Sequence, residues 1–281
     1  MIRKLVSIII GLIISIGLFA QAQITTKKLK LEDFPEKTTK IVLGGNIFFD
    51  GFLKSEIRSS WRVSPYEFCD LEDFESLKSN ANYYFLLLVN QQSKKEDNPG
   101  LNALTLVKGG AGSDKGLEKM LEVVSIPIMS AIEANGRENI FLGAFINIIQ
   151  NHALASIEND YSGYLGLSVN NNNLTKTGNY KIYIADSDLA MDLSEAEIQS
   201  FKESGIMIVS DEKAIEVYES RAANTLVSFS VYPTKESIGS ECYKMLIDCE
   251  TSELFYYRTH KISKKNKGGF LLEDLRKISR R

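Results

Sequence analysis

A repeat within the chain constrains its fold more than any other feature of the sequence. The apolar run 41–45 reads as a buried strand that ends in a turn, and 182–186 repeats this pattern 141 positions later. The same shift relates two helix-capping aspartates and two further pairs of apolar runs, which are Asp70 and Asp211, 85–88 and 226–229, and 104–106 and 245–247. Four matches at one offset indicate a duplicated unit. Strands that alternate with helices predict an α/β fold with right-handed parallel crossovers.

Each unit is predicted to run strand, helix, strand, helix, strand, strand. The chain is thus expected to contain two tandem βαβαββ half-Rossmann-like repeats, about 141 residues apart and joined by a helical insertion. In the second repeat, Ser194 and Glu197 form a capping box at a helix start. Because a unit of about 70 residues buries little surface alone, we expect the two to pack together. The segment 140–157 is apolar on more than one side and predicts a helix shared by both.

The remaining boundaries follow from helix signals and from composition. After the first repeat we predict a helix that Asp114 caps and Pro127 ends. Residues 160–180 are rich in Gly and Asn, which is typical of a flexible linker. The predicted segments are a signal peptide at 1–22, a lead-in arm at 23–39, the first α/β repeat at 40–109, the helical insertion at 110–159, the polar linker at 160–180, the second repeat at 181–262, and a basic tail with a short helix at 263–281.

The first 22 residues have the three parts of a secretory signal peptide. Arg3 and Lys4 give a positive start, and residues 5–20 form an apolar core that is shorter than the roughly 20 residues of a membrane span. Ala20-Gln21-Ala22 supplies the small-x-small pattern that signal peptidase cuts. The pattern predicts cleavage between Ala22 and Gln23 and a periplasmic or secreted protein. After the signal, no apolar run is long enough to span a bilayer.

Composition and cysteine usage exclude several classes of protein. With 44% hydrophobic and 25% charged residues the chain is expected to be globular. A net charge of −3 lacks the basic face that nucleic-acid binding needs, so no nucleic-acid partner is expected. Cys69, Cys242 and Cys249 are odd in number and few for the chain's size, which favours isolated buried thiols. Pairing of Cys242 with Cys249 stays open.

The residues that could carry chemistry each have an ordinary structural interpretation. The glycine-rich loop 108–116 lacks both the P-loop hydroxyl residue and the Rossmann glycine spacing. His152 and His260 are isolated, so they form no metal site. Asp186-Ser187-Asp188 follows a strand and suits a turn or cap. Four tyrosines flank the Asn-rich segment and could form a binding patch, and these are Tyr161, Tyr164, Tyr180 and Tyr183. No catalytic, cofactor-binding or metal-binding residue is predicted.

Three stretches of the first repeat carry a resemblance to known sequences. They are 60–68, 83–88 and 104–110. These stretches resemble uncharacterised exported proteins of Bacteroidetes-type Gram-negative bacteria, and Gln23 after the signal resembles that group as well. The group has no assigned activity. The resemblance therefore implies an exported location and carries over no catalytic residue.

Export, duplication and the lack of a catalytic constellation favour a non-enzymatic protein. We expect an envelope or surface protein with a binding or structural role, whose partner is an envelope macromolecule or a cell-surface component. The alternative is a periplasmic enzyme with a site at the strand ends of the first repeat, near Gly44, Gly45 or the loop 109–116. A cleft lined by carboxylates with shifted pKa values would favour the enzyme. A large exposed apolar patch would favour the binding protein.

Overall fold

The computed structural model describes residues 30–93, 96 and 98–281. The predicted signal peptide, its cleavage site between Ala22 and Gln23, and most of the lead-in arm lie outside the described residues. The first unit contains β1 (Thr38–Val42), α1 (Ile47–Ser60), β2 (Tyr66–Cys69), α2 (Leu71–Leu77), β3 (Tyr83–Gln91), β4 (Leu101–Lys108) and β5 (Leu121–Ser130). The connecting segment contains α3 (Arg137–Ile140), α4 (Leu142–Glu158), α5 (Asp160–Leu165) and a 3-10 helix (Gly166–Lys176).

The second unit follows the same element order as the first. It contains β6 (Lys181–Ala185), α6 (Glu195–Glu203), β7 (Ile206–Val209), α7 (Asp211–Glu219), β8 (Thr225–Val231), β9 (Glu241–Asp248) and β10 (Leu254–Lys261), and α8 (Leu272–Ile278) follows. The sheets have matching orders, β2-β1-β3-β4-β5 and β7-β6-β8-β9-β10. In each sheet the first three strands are parallel and the last two are added antiparallel. The predicted α/β fold with two tandem repeats is confirmed.

The repeat offset is close to the predicted one but not constant. β2 and β7 begin 140 residues apart, whereas β1 and β6 begin 143 residues apart. Asp70 is the N-cap of α2 and accepts a hydrogen bond from the backbone N–H of Asp73. Ser210 is the N-cap of α7, and Asp211 is the first helical residue. The two aspartates therefore mark equivalent helix starts to within one position.

The helix predicted from Asp114 to Pro127 is wrong, because the second half of this segment forms β5. Leu117 and Met120 have helical spacing, but the described segment forms only two short 3-10 turns before the strand begins. β5 pairs antiparallel with β4, with Leu104 opposite Ile126. Pro127 is tolerated because β5 is an edge strand. The first unit thus has the same fifth strand as the second.

The segment 160–180 is ordered by its asparagines, which corrects the prediction of a flexible linker. The Asn171 side chain donates to the Tyr257 carbonyl at 3.0 Å and accepts from the Tyr257 N–H at 2.7 Å. Asn173 donates to the Leu254 carbonyl at 3.1 Å. Tyr257 and Leu254 belong to β10, the edge of the second sheet. The asparagine amides therefore replace a neighbouring strand along that edge.

The predicted shared helix is confirmed as α4, which lies in the core between the sheets. One buried cluster joins residues of both sheets to the inner faces of α1, α4 and α7. The Phe141 ring lies 4.2 Å from that of Tyr218 and 5.1 Å from that of Phe229, centroid to centroid. Phe145 is fully buried and also contacts Phe229. Two smaller clusters cover the outer faces, one under α2 and one under α6 and α8.

Two further sequence predictions concern cysteines and membrane spans. Cys69, Cys242 and Cys249 are free and buried, as predicted. Within the described part of the chain, none of the helices combines the length and apolar character that a membrane span requires.

Candidate functional site

A cavity lies where the connecting segment meets both units, and we call it the junction cavity. It has a volume of about 190 Å³ and is lined by β5, α4, α5, the 3-10 helix and β10. Its polar side chains are Glu122, Ser125, His152, Ser156, Tyr164 and Tyr257. Tyr164 stays 58% exposed, so the cavity reaches the surface beside α5. The site thus combines residues from both units with residues from the segment that joins them.

A bulge in β5 positions the carboxylate of the cavity. Leu106 pairs with Val124 and Val107 pairs with Glu122, so Val123 has no partner of its own in β4. A bulge of this kind locally re-aims the side chains of a strand and is frequent at sheet edges beside functional sites. Glu122 and Ser125 consequently line the cavity together with the two valines between them.

Glu122 has no hydrogen-bond or ion-pair partner among the described residues. Burial alone therefore governs its titration and raises the pKa of the Glu122 carboxyl to about 7. The carboxyl exchanges its proton close to neutral pH, which is the property of general acids, general bases and ligand-binding carboxylates.

His152 contributes a second polar group without a partner. Its side chain is only 4% exposed, and its Nδ1 atom is buried without a hydrogen bond. Burial lowers the pKa of His152 to about 4, so the ring is neutral at pH 7. Buried polar atoms nearly always find a partner, so an orphan at a cavity wall leaves a position that water or a ligand can complete.

The geometry of Ser156 fixes the tautomer of His152. Ser156 lies one helical turn further along α4, and its hydroxyl donates to the His152 carbonyl at 2.8 Å. The hydroxyl proton is used there, so Oγ can only accept from the His152 Nε2 atom 3.4 Å away. Nε2 then carries the ring proton, and Nδ1 presents a lone pair. Ser156 is consequently not a nucleophile that His152 activates, since such a serine donates its proton to the ring.

Tyrosines and a second carboxylate surround Glu122 on the side of the second sheet. The Tyr243 and Tyr257 rings lie 6.2 Å apart, and the Tyr243 hydroxyl donates to Glu241. Burial, and after it the carboxylates of Glu241 and Glu122, raise the pKa of Tyr257. Both phenols therefore stay protonated, and this side of the site is aromatic and anionic.

The strand end of the first repeat is closed by a side chain of its own. The backbone N–H groups of Gly44 and Gly45 donate to the two carboxylate oxygens of Asp50, at 3.1 and 2.9 Å. Asp50 is only 8% exposed and occupies the position that an anionic ligand would take. In the loop 109–116, a Cβ at Gly109 would lie 2.5 Å from the Asn80 carbonyl oxygen. That glycine is needed for close backbone packing.

The strand end of the second repeat is occupied by a buried ion pair. Arg137 donates to both oxygens of Asp188 at 3.0 Å, and Asp188 also accepts from Ser228 and Ser230. Asp188 is 1% exposed. The sequence predicts a turn or cap at Asp186-Ser187-Asp188, and the structure makes Asp188 a tie between the connecting segment and the second unit.

The remaining histidine and most of the tyrosines considered in the sequence lie away from the junction cavity. His260 Nε2 lies 2.8 Å from the Lys267 carbonyl, far along the chain from His152. Among the four tyrosines of the proposed binding patch, only Tyr164 lines the junction cavity, while Tyr180 contacts Phe255. The described residues contain no group of His, Cys, Asp and Glu side chains that could hold a metal ion.

Sequence reasoning missed the junction cavity. Glu122 falls in the segment that was predicted as a helix, and its single charge within 121–130 is the one available signal. A lone carboxylate in a largely apolar edge strand suggests either a solvent-facing position or a place in a functional site. His152 was considered and assigned a structural role, because its cavity depends on residues far away in the sequence.

Comparison of the chain with known protein families, with curated proteins and with solved structures gives no match. Its function must therefore be argued from the residues of the site.

Proposed function

We propose that this protein is an exported binding protein that holds a small molecule in the junction cavity. The observation that carries the proposal is that two polar residues line one cavity between the units: Glu122, which has no hydrogen-bond or ion-pair partner among the described residues, and His152, whose Nδ1 atom is buried without one. The signal-peptide pattern at 1–22 supports export to the periplasm or beyond. A buried polar atom without a partner, such as His152 Nδ1, lowers stability, and a ligand that pairs with it offsets that cost.

The size of the cavity suits a ligand of roughly ten heavy atoms or fewer. Apolar protein cavities of about 150 Å³ hold a benzene molecule, and the junction cavity has about 190 Å³. Leu31, Val123 and Leu167 supply an apolar wall. The site therefore suits a compact molecule with an apolar body and one polar group.

Turnover of the bound molecule is the second candidate function. A carboxyl with a pKa of about 7 can both accept and donate a proton at neutral pH, as general acid-base catalysis requires. The described residues around Glu122 supply no activated nucleophile, because Ser156 donates its proton to a carbonyl. Binding is thus the function that more of the geometry supports.

An exposed apolar patch supports a separate contact with an envelope macromolecule. At the start of α1, Ile47 is 85% exposed and Phe48 is 82% exposed, and Phe52 lies beside them at 47%. Clustered exposed apolar side chains of this kind mark interaction surfaces. The patch fits the partner class that the sequence predicts, and it leaves the junction cavity free for a small molecule.

An NMR titration with three small probes tests the binding proposal. Benzyl alcohol, benzylamine and benzoate share one apolar ring and differ in charge. We expect at least one of them to shift the amide resonances of Gly163 and Gly166, which line the cavity. Ser156→Leu and Val123→Phe should fill the cavity and abolish the shifts, whereas Ser55→Leu, at an exposed position of α1, should leave them unchanged. If none of the three probes shifts these resonances, or if both cavity-filling variants bind like wild type, the proposal fails.

A further inference from the structure

We infer that the ligand of the junction cavity is a small organic cation, an ammonium group on an apolar body. This inference rests on the proposed function of the cavity and specifies the class of ligand. It follows from the hydrogen-bonding character of the groups that line the site and from the charges around it.

The two partnerless groups of the cavity can both accept hydrogen bonds. The Ser156 hydroxyl uses its proton on the His152 carbonyl, which leaves the lone pair of His152 Nδ1 free. Glu122 is an acceptor whenever it is ionised. A ligand that satisfies both must bring N–H or O–H donors. An ammonium group brings up to three donors, whereas a carboxylate or phosphate brings none.

Among the described residues that line the cavity, Glu122 is the one with a formal charge near neutral pH. Glu122 comes from β5 and Glu241 from β9, and the other titratable groups facing this region are Tyr243, Tyr257, Tyr164 and His152. Among the described residues, no lysine or arginine forms an ion pair with Glu122 or Glu241. Lys261 lies opposite Glu241 in the β9–β10 pair, but no described lysine or arginine pairs with Glu122, so an anion in the cavity would meet an uncompensated carboxylate. A cation would instead supply the missing partner of Glu122.

The aromatic side chains favour the same ligand class. Tyr257 and Tyr164 line the cavity, and Tyr243 lies next to Tyr257. The faces of aromatic rings attract cations by about 0.5–2 kcal/mol, and sites for ammonium ligands combine such rings with a carboxylate. The apolar wall of Leu31 and Leu167 accommodates the ligand's body. A carboxylate, two tyrosine rings and an imidazole thus line one small cavity.

The charged form of Glu122 is coupled to the binding of a cation. In the empty cavity its pKa is about 7, so much of the protein carries a neutral carboxyl at and below that pH. An ammonium ligand needs the carboxylate, and binding must then displace the proton. The affinity of the protein for an ammonium ligand should fall about tenfold for each pH unit below 7. The fall should end where the ligand binds the protein with Glu122 protonated. Affinity for a neutral ligand should not fall in this way.

The same three probes distinguish a cation from other ligands. At pH 7.5 we expect benzylamine to bind at least about tenfold more tightly than benzyl alcohol, which corresponds to one charge-assisted hydrogen bond, and benzoate not to bind. Glu122→Gln should remove the preference for benzylamine while benzyl alcohol still binds. Glu158→Gln, at the exposed end of α4, should behave as wild type. The affinity of benzylamine should weaken from pH 7.5 to pH 5.5, whereas that of benzyl alcohol should stay constant.

Each contrary result has a distinct meaning. Equal affinity for benzylamine and benzyl alcohol, or tighter binding of benzoate, would overturn the cation assignment and leave the small-molecule proposal standing. Preference for benzylamine that survives in Glu122→Gln would also overturn it, because the carboxylate would not be the recognising group. Absence of binding by all three probes would overturn both the cation assignment and the proposed function.

Discussion

Two buried polar clusters in this protein show opposite electrostatic behaviour. In the first, the Lys244 ammonium donates to Asp274 at 2.6 Å, and the Tyr256 hydroxyl donates to the same carboxylate at 2.6 Å. Lys244 and Asp274 are fully buried. Burial by itself would raise the pKa of Asp274, but the hydrogen bond from Lys244 reverses the effect and lowers it. In the second cluster, burial raises the pKa of Glu122 and no partner opposes it.

The difference separates a structural cluster from a binding site. Asp274 also accepts from the Leu271 backbone and from Arg258, so it fastens α8 to the second sheet. Each of its oxygens is satisfied within the protein. At the junction cavity, His152 Nδ1 is buried without a partner, and the half-buried Glu122 has no partner among the described residues. Buried polar atoms of this kind are rare unless a ligand or water completes them. Burial alone therefore does not identify a functional residue; at Glu122 and His152 the lack of partners coincides with a cavity that can hold one.

Removal of a carboxylate from the satisfied cluster should have the largest effect on stability. Asp274→Ala leaves the Lys244 ammonium buried without its partner, and we expect a loss of about 3–5 kcal/mol in the free energy of unfolding. Urea denaturation measures the loss. Glu273→Ala is the matched control, because Glu273 is the preceding residue and is 62% exposed in its pair with Arg258. The control should change stability by less than about 1 kcal/mol. A similar loss in both variants would show that Asp274 does not fasten α8 through its buried pair.

The fold could be predicted from the sequence because its signals are local and repeated. The capping residues Asp70 and Ser194 and the apolar runs of β1 and β6 each mark their element without reference to distant residues. β5 was missed because Leu117 and Met120 matched helical spacing, while the pairing of Leu104 with Ile126 that fixes the strand is non-local. One segment alone does not show whether its helical spacing or its pairing with a distant strand decides the conformation.

The candidate site could not be predicted in the same way. Glu122, His152 and Tyr257 come from three elements, and the distance along the chain from the first to the last exceeds 100 residues. Their meaning depends on the absence of partners, and a sequence does not show which side chains end without one. Even the asparagines 170–173, which indicated a loop by composition, are ordered because β10 offers its unpaired backbone groups.

The Glu122 carboxyl should make the free energy of unfolding depend on pH. The folded-state pKa of Glu122 is about 7, above the ordinary value of 4.5, so the folded protein holds this proton more tightly than the unfolded chain. Its contribution to stability is fully present below pH 4.5 and is lost as the pH rises through 7. Glu122→Gln does not titrate, and its stability relative to wild type should increase by about 2–3 kcal/mol between pH 4.5 and pH 8. Urea denaturation at several pH values measures this difference. If the stability difference between Glu122→Gln and wild type is the same at every pH, Glu122 is solvated. The pKa values of Glu122 and Asp274 would then not be shifted in opposite directions.

Replacement of His152 should give the smallest effect and a sign opposite to that of Asp274→Ala. His152→Leu removes a buried imidazole whose Nδ1 has no partner and leaves an apolar side chain of similar size. The Ser156 hydroxyl keeps its bond to the residue 152 carbonyl, so little is orphaned. We expect a gain of about 1 kcal/mol at pH 7.

The gain should grow in acid for a specific reason. His152 has a folded-state pKa of about 4, below the ordinary histidine value of 6.5. The wild-type protein therefore loses stability as the pH falls from 6.5 toward 4, and the leucine variant does not. Thermal unfolding at pH 7 and pH 5 compares the two proteins. If His152→Leu destabilises the protein at both pH values, the imidazole has a hydrogen-bond partner in solution. The difference between the Lys244–Asp274 cluster and the cluster at Glu122 and His152 would then not hold.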